Sequence, residues 1–229
     1  VYELKKKDEY GGDFHCALKV ISVPGSQKEY DEMLESMSEF AMRAKLREKV
    51  EEISNEYRLL GALRGHPNVV NCEDQMIIPH ENDMGWDIYI RMELLQSLPD
   101  YVRENGMTVD SVIKLGSDMC SALELCRENN IIHRDIKPQN IFVSRYGVFK
   151  LGDFGVAKAS TIRTSADKVG TYSYMAPEVY KGKGYDDRVD IYSLGMVLYW
   201  LLNDRRGPFL PMPPQVPTPE QITDAQIRR

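Results

Sequence analysis

The sequence predicts an α+β protein of two unequal lobes, and three features of its patterning say so. Short strand-like runs stand on both sides of a single stretch of helical periodicity before Leu95, and the chain from Leu98 onward reads as mainly helical. With 229 residues and 42% apolar content there is enough material to bury a substantial core.

Taken in order, Tyr2 to Val23 reads as two strands joined by a turn at Tyr10-Gly11-Gly12-Asp13, with Cys16 to Ile21 as a buried second strand. From Tyr30 to Leu63 apolar residues recur at helical spacing (Tyr30, Met33, Leu34, Met37, Phe40, then Leu46, Val50, Ile53, Tyr57, Leu60), which predicts a helix pair or one long broken helix. After a turn at Gly65-His66-Pro67-Asn68, the runs Val69 to Cys72, Met76 to Ile78 and Trp86 to Leu95 close an antiparallel sheet against that helix. Leu98 to Arg103 opens the helical region, and Val112, Leu115, Met119, Leu123 and Cys126 mark one helix. Ile191 to Leu202 is apolar on nearly all sides, as expected at the centre of a larger lobe. The expected division is therefore a small lobe over 1–92, a linker over 93–97 and a large lobe over 98–229. Pro208 to Pro219 holds six prolines in twelve residues, a rigid surface connection or a set of P-x-x-P frames for an aromatic groove.

Composition excludes several classes. A net charge of −6 and a pI near 5.4 argue against a broad nucleic-acid-binding surface. Cys16, Cys72, Cys120 and Cys126 form no C-x-x-C pair and have no histidines at zinc spacing, so a reduced, cytoplasmic setting is expected. The longest apolar stretch falls short of the roughly 20 residues a membrane span needs, and no signal-peptide pattern opens the chain.

The chemistry is concentrated in two motifs. His133-Arg134-Asp135-Ile136-Lys137-Pro138-Gln139-Asn140 follows a predicted helix, and eighteen residues past Asp135 stands Asp153-Phe154-Gly155. With Ala17-Leu18-Lys19 upstream and Met175-Ala176-Pro177-Glu178 downstream, four motifs stand in order, and the chain resembles the protein kinase family from Val1 to about Phe209. The resemblance implies the bilobal kinase fold: a small antiparallel-sheet lobe with one regulatory helix and a larger, mainly helical lobe. It also implies transfer of the γ-phosphate of ATP, with Mg²⁺, or Mn²⁺ as its substitute.

Phosphoryl transfer needs charge neutralisation and in-line positioning more than covalent chemistry, and the resemblance assigns residues to those tasks. Asp135 is the expected base, with Lys137 steadying the γ-phosphate. Asn140 and Asp153 offer the hard oxygens that Mg²⁺ prefers. Lys19 is expected on the α- and β-phosphates and paired with Glu56, for which Glu52 is the competitor. Val1 and Ala17 above adenine, Phe142 below it, Met92 at the back, and the backbones of Glu93 and Leu95 complete the expected nucleotide pocket.

Lys137 and Thr171 match the Ser/Thr branch of the family. Arg134 beside the base matches members switched by a phosphate on the activation segment, for which Thr161, Thr164 and Ser165 are candidates. Asp190 resembles the buried aspartate that orients the catalytic loop through its backbone. The expected partners are proteins bearing Ser or Thr, including a second copy of the chain modified in trans.

Two departures stand out. The Gly-rich phosphate-covering loop is absent, and the last helices of the large lobe are not seen, so truncation at both ends is expected. Glu178 is then expected to lack its arginine partner, at a cost on the order of 3 to 5 kcal/mol if buried. The 37 residues from Lys19 to Glu56 leave room for an extra helix around Tyr30 to Phe40, a spacing that looks most like eukaryotic-like kinases of bacteria. The competing function is a pseudokinase or scaffold that binds nucleotide or partners without turnover.

Overall fold

The computed structural model describes residues 1–7, 13–81, 83–154, 173–180, 184–211 and 215–228, with the side chains of residues 6, 7, 13, 14, 56, 58–60, 180 and 226 left aside. The expected turn at Tyr10-Gly11-Gly12 and the activation-segment residues Thr161, Thr164, Ser165 and Thr171 lie outside the described residues. The chain divides into two compact units, one built on residues 1–95 and the other starting at Gln96.

The first unit is a four-stranded antiparallel sheet with two helices. Its strands are β1 (Tyr2–Lys7), β2 (Asp13–Val23), β3 (Cys72–Pro79) and β4 (Trp86–Glu93), in the spatial order β1-β2-β4-β3. Burial in β2 alternates, with Ala17, Ile21 and Val23 inside, so the continuously buried strand expected over Cys16 to Ile21 is instead half-buried with a period of two. The strand expected over Met76 to Ile78 is part of β3, whose register shifts between Cys72 and Asp74, whereas the run Val69 to Cys72 contributes only Cys72 to it. Val69 itself is buried but precedes it.

Helices α1 (Gln27–Ser36) and α2 (Glu39–Leu59) realise the helix pair. Ser26 caps α1 by accepting the Glu29 amide at 3.2 Å, an interaction worth about 1 kcal/mol. Met33 of α1, Met42, Leu46, Val50 and Ile53 of α2, and Ile21, Val23, Ile88 and Ile90 of the sheet form one cluster. Leu46 and Ile53 are fully buried, and each contributes roughly 1.5–3 kcal/mol by leaving water.

The second unit begins with a three-stranded antiparallel sheet, β5 (Gln96–Ser97), β6 (Ile141–Val143) and β7 (Phe149–Leu151). Helix α3 (Leu98–Asn105) follows β5, and α4 (Val109–Glu128) carries the buried stripe Val112, Leu115, Met119, Leu123, Cys126 that its periodicity predicts. The short α5 (Pro177–Tyr180), α6 (Arg188–Leu202) and α7 (Pro219–Ile227) complete it. Helix α4 packs on α6, with Gly116 facing the Leu198 methyls. The all-round burial expected for α6 is not observed, because Ile191 and Leu202 are 53% and 55% exposed and only Val189, Asp190, Ser193, Leu194 and Val197 are buried.

Candidate active site

The loop between α4 and β6 carries His133 to Asn140 and is held from below by Asp190 in the first turn of α6. The carboxylate of Asp190, 2% exposed, accepts the backbone N–H of His133 at 2.7 Å and of Arg134 at 2.8 Å. These two charge-assisted bonds satisfy an otherwise costly buried anion and hold Arg134 in the left-handed region at φ 66°.

His133 joins this loop to the end of β7. Its Nε2 donates to the Gly152 carbonyl oxygen at 3.0 Å and its Nδ1 accepts the Asp135 amide at 3.3 Å, which fixes the neutral Nε2–H tautomer. Its ring also rests 4.7 Å from that of Phe154. The amide of Gly152 donates to the Asn140 carbonyl oxygen at 2.9 Å, so Asp153, next in sequence and at φ 57°, emerges from a segment bonded to the loop on both sides.

Within the loop, Asp135 is 8% exposed, and its Oδ2 accepts from Lys137 Nζ at 3.0 Å and from Asn140 Nδ2 at 3.1 Å. Asn140 Nδ2 also donates to the Asp135 carbonyl oxygen at 2.8 Å. A cation and an amide thus converge on one carboxylate oxygen, an arrangement that fixes its rotamer. Both bonds use the nitrogen of Asn140, which leaves its amide oxygen as the hard, ligand-capable atom. With the exposed Asp153 carboxylate, that makes two hard oxygen donors, the number that suits a divalent ion completing its shell with phosphate oxygens and water.

In the first unit, Lys19 stands half-buried on β2 opposite Ile90, and the buried Ala17 stands opposite Met92. Glu93, at the end of β4, accepts the Asn71 amide through Oε1 at 2.6 Å and donates its own N–H to the Asn71 carbonyl at 3.1 Å. Val1 is 81% exposed, Leu95 and Met92 are half-buried, and Glu56 falls on α2. Its competitor Glu52 is exposed. In the second unit Phe142 lies half-buried on β6, paired with Ser97 and Lys150.

Glu178 departs from expectation. It is half-buried and stands close enough to Arg188 for its charge to help raise that guanidinium's pKa, behind the hydrogen bond and charge of Asp186. The burial on which the expected cost depends is therefore not observed. The structure also adds a residue that sequence reasoning missed: Tyr185, whose ring centroid lies 5.7 Å from the guanidinium carbon of Arg134. The two are 51 positions apart, and no local pattern links them.

The protein kinase domain model matches residues 27–216, most of the chain. The chain belongs to the protein kinase domain family. Its relatives include a probable serine/threonine-protein kinase of Clostridium perfringens, 41% identical over 58% of this chain and 20% of the relative. The serine/threonine-protein kinase PknB of Mycobacterium leprae is 38% identical, and that of Mycobacterium tuberculosis 41%, each over 62% of this chain and 24% of the relative. The chain spans about a fifth to a quarter of the length of these curated relatives. Lys19 precedes the matched residues.

Proposed function

We propose that the protein is a Ser/Thr protein kinase that transfers the γ-phosphate of ATP to Ser or Thr hydroxyls of proteins. The observation that carries this reading is the Asp135 carboxylate, buried in a loop and held by Lys137 and Asn140 through one oxygen. In the transfer, the substrate oxygen forms a bond to the γ-phosphorus, the bond to the ADP oxygen breaks, and the hydroxyl proton passes to Asp135. Lys137 offsets the negative charge spread over the transferring group. Asn140 and Asp153 would hold the divalent ion, Mg²⁺ or in its place Mn²⁺, whose chemistry is to neutralise the phosphate charge. Lys19 binds the α- and β-phosphates with Glu56 as its partner, and Val1, Ala17, Met92, Glu93, Leu95 and Phe142 receive adenine.

Arg134 fits regulation by a phosphate on Thr161, Thr164 or Ser165, added by a second copy of the protein. Lys137 and Thr171 support the Ser/Thr preference, and the cytoplasm is the proposed compartment. Among the described residues no helix is long and apolar enough to cross a membrane.

The test is phosphate transfer from Mg-ATP by the full-length protein, read by mass spectrometry of itself and of a generic protein substrate. Asp135→Asn should lower the rate about 10²- to 10⁴-fold while ATP still binds. A wild-type protein that binds ATP and transfers nothing would establish the scaffold reading instead.

A further inference from the structure

The helix that precedes α2 is fastened in an unusual way. Ser26-Gln27-Lys28-Glu29 has the spacing of a capping box, in which the glutamate would turn back to the cap residue's own amide. Here Ser26 accepts the Glu29 amide as expected, but the Glu29 carboxylate reaches one residue further and binds the Gly25 amide through Oε2 at 2.8 Å. Its other oxygen, Oε1, accepts from Lys49 Nζ on α2 at 2.7 Å. One carboxylate therefore ties the bend two residues past β2, the first turn of α1 and the middle of α2.

The tie is sheltered. The Lys49 side chain is 17% exposed and that of Glu29 34%, unlike the Lys28–Glu32 pair on the same helix, at 85% and 65%. Beneath it Met33 of α1 joins the cluster formed by Met42, Leu46 and Val50 of α2 with Val23 of β2. The strand that runs into this bend carries Lys19, and the helix so tied carries Glu56, seven positions past Lys49 and about 10 Å along the axis.

We infer that Glu29 and Lys49 are positioning residues for phosphate transfer, fixing α2 against the bend that follows β2 so that the Lys19 and Glu56 positions keep one register. The inference rests on the kinase reading above. A helix cap alone would need Ser26 and the Glu29 backbone; the ion pair across to α2 adds a function that capping does not require. Because Lys19 acts on the α- and β-phosphates, loosening this register weakens the grip on ATP and leaves recognition of the protein substrate unaffected.

The test is steady-state transfer from Mg-ATP by the full-length protein and its Glu29→Gln, Lys49→Met, Lys49→Arg and Glu32→Gln variants, with thermal midpoints recorded alongside. Glu29→Gln keeps the acceptor for Gly25 and removes the charge; Lys49→Met keeps the stem. The expected result is a KM for ATP raised about tenfold in both, with the KM for protein substrate unchanged, near-wild-type values in Lys49→Arg, and no change in Glu32→Gln. A KM for ATP equal to wild type, or a loss confined to the active fraction and the thermal midpoint, overturns the inference and leaves the kinase reading standing. A wild-type protein that transfers no phosphate overturns that reading and this role with it.

Discussion

A single side chain can hold a loop by bonding its backbone, and Asp190 does this for His133 and Arg134. Asp190→Asn keeps the shape but sets an amide N–H₂ against a backbone N–H, so it should destabilise the protein by about 1–3 kcal/mol, read by urea denaturation. The cysteines give a second test at this scale. Burial, aided by the charge of Asp190, pushes the Cys126 thiol up to about 12, whereas Cys120 is exposed. At pH 8 iodoacetamide should label Cys120 readily and Cys126 only after denaturation, as peptide mapping will report. The sequence made Asp190 legible through a motif, but Tyr185 and the Glu29–Lys49 tie were invisible. Contacts between residues 20 and 51 positions apart leave no periodic trace.

Among the elements, the β3–β4 hairpin carries its own titration. His80 Nδ1 lies 2.6 Å from Asp83 Oδ1 and its Nε2 lies 3.3 Å from Asp87 Oδ1, so both ring nitrogens face carboxylates. Asp87 also accepts from Ser22 on β2 at 2.6 Å and from Tyr89 at 3.3 Å. Burial works against the imidazolium, but the hydrogen bonds and charges of the two aspartates override it and raise the His80 pKa. Burial likewise opposes the Asp87 carboxylate, and Ser22 and His80 outweigh it to lower the Asp87 pKa.

A raised histidine contributes stability that is fully present below its unfolded value of about 6.5 and lost as pH rises through its folded value. A lowered aspartate contributes above its unfolded value of about 3.9 and loses that contribution as pH falls through its folded value. Amide exchange in β3 and β4, corrected for intrinsic rates, should show greatest protection between about pH 4 and 6.5, and His80→Gln should flatten the upper limb. Gly85 completes the hairpin: a Cβ there would meet His80 Nδ1 at 2.5 Å and the Val23 carbonyl oxygen at 2.9 Å. The ring can swing away but the backbone oxygen cannot, so Gly85→Ala should cost about 1–3 kcal/mol in thermal or urea unfolding.

The element types were legible because their periods are distinct: 3.6 in α2 and α4, two in β4. Their surroundings were less so. An apolar run such as Ile191 to Leu202 does not say which of its faces is covered, and Ile191 and Leu202 prove exposed. The start of β3 was hidden by the register shift beside Cys72, which interrupts the alternation a strand reading depends on.

For the molecule as a whole, the order of motifs along the chain revealed the family, and the geometry gave the 133–140 loop its bonds. The proposed nucleotide site predicts a bulk property. Mg-ATP at a hundred times its dissociation constant should stabilise the full-length protein by about 2.7 kcal/mol, seen as a raised thermal midpoint. Lys19→Met should lose most of that shift, because the lost ammonium weakens ATP binding while the half-buried strand position tolerates methionine.

The Asp190 anchor has an implication for how such a loop can change over generations. Its two bonds end on main-chain N–H groups that every residue except proline possesses, so the grip is indifferent to what side chains stand at 133 and 134. The backbone grip of Asp190 is thus inherited apart from the side chain at 134, whereas the His133 ring, bonded to Gly152 and to the Asp135 amide, is itself part of what fastens the loop.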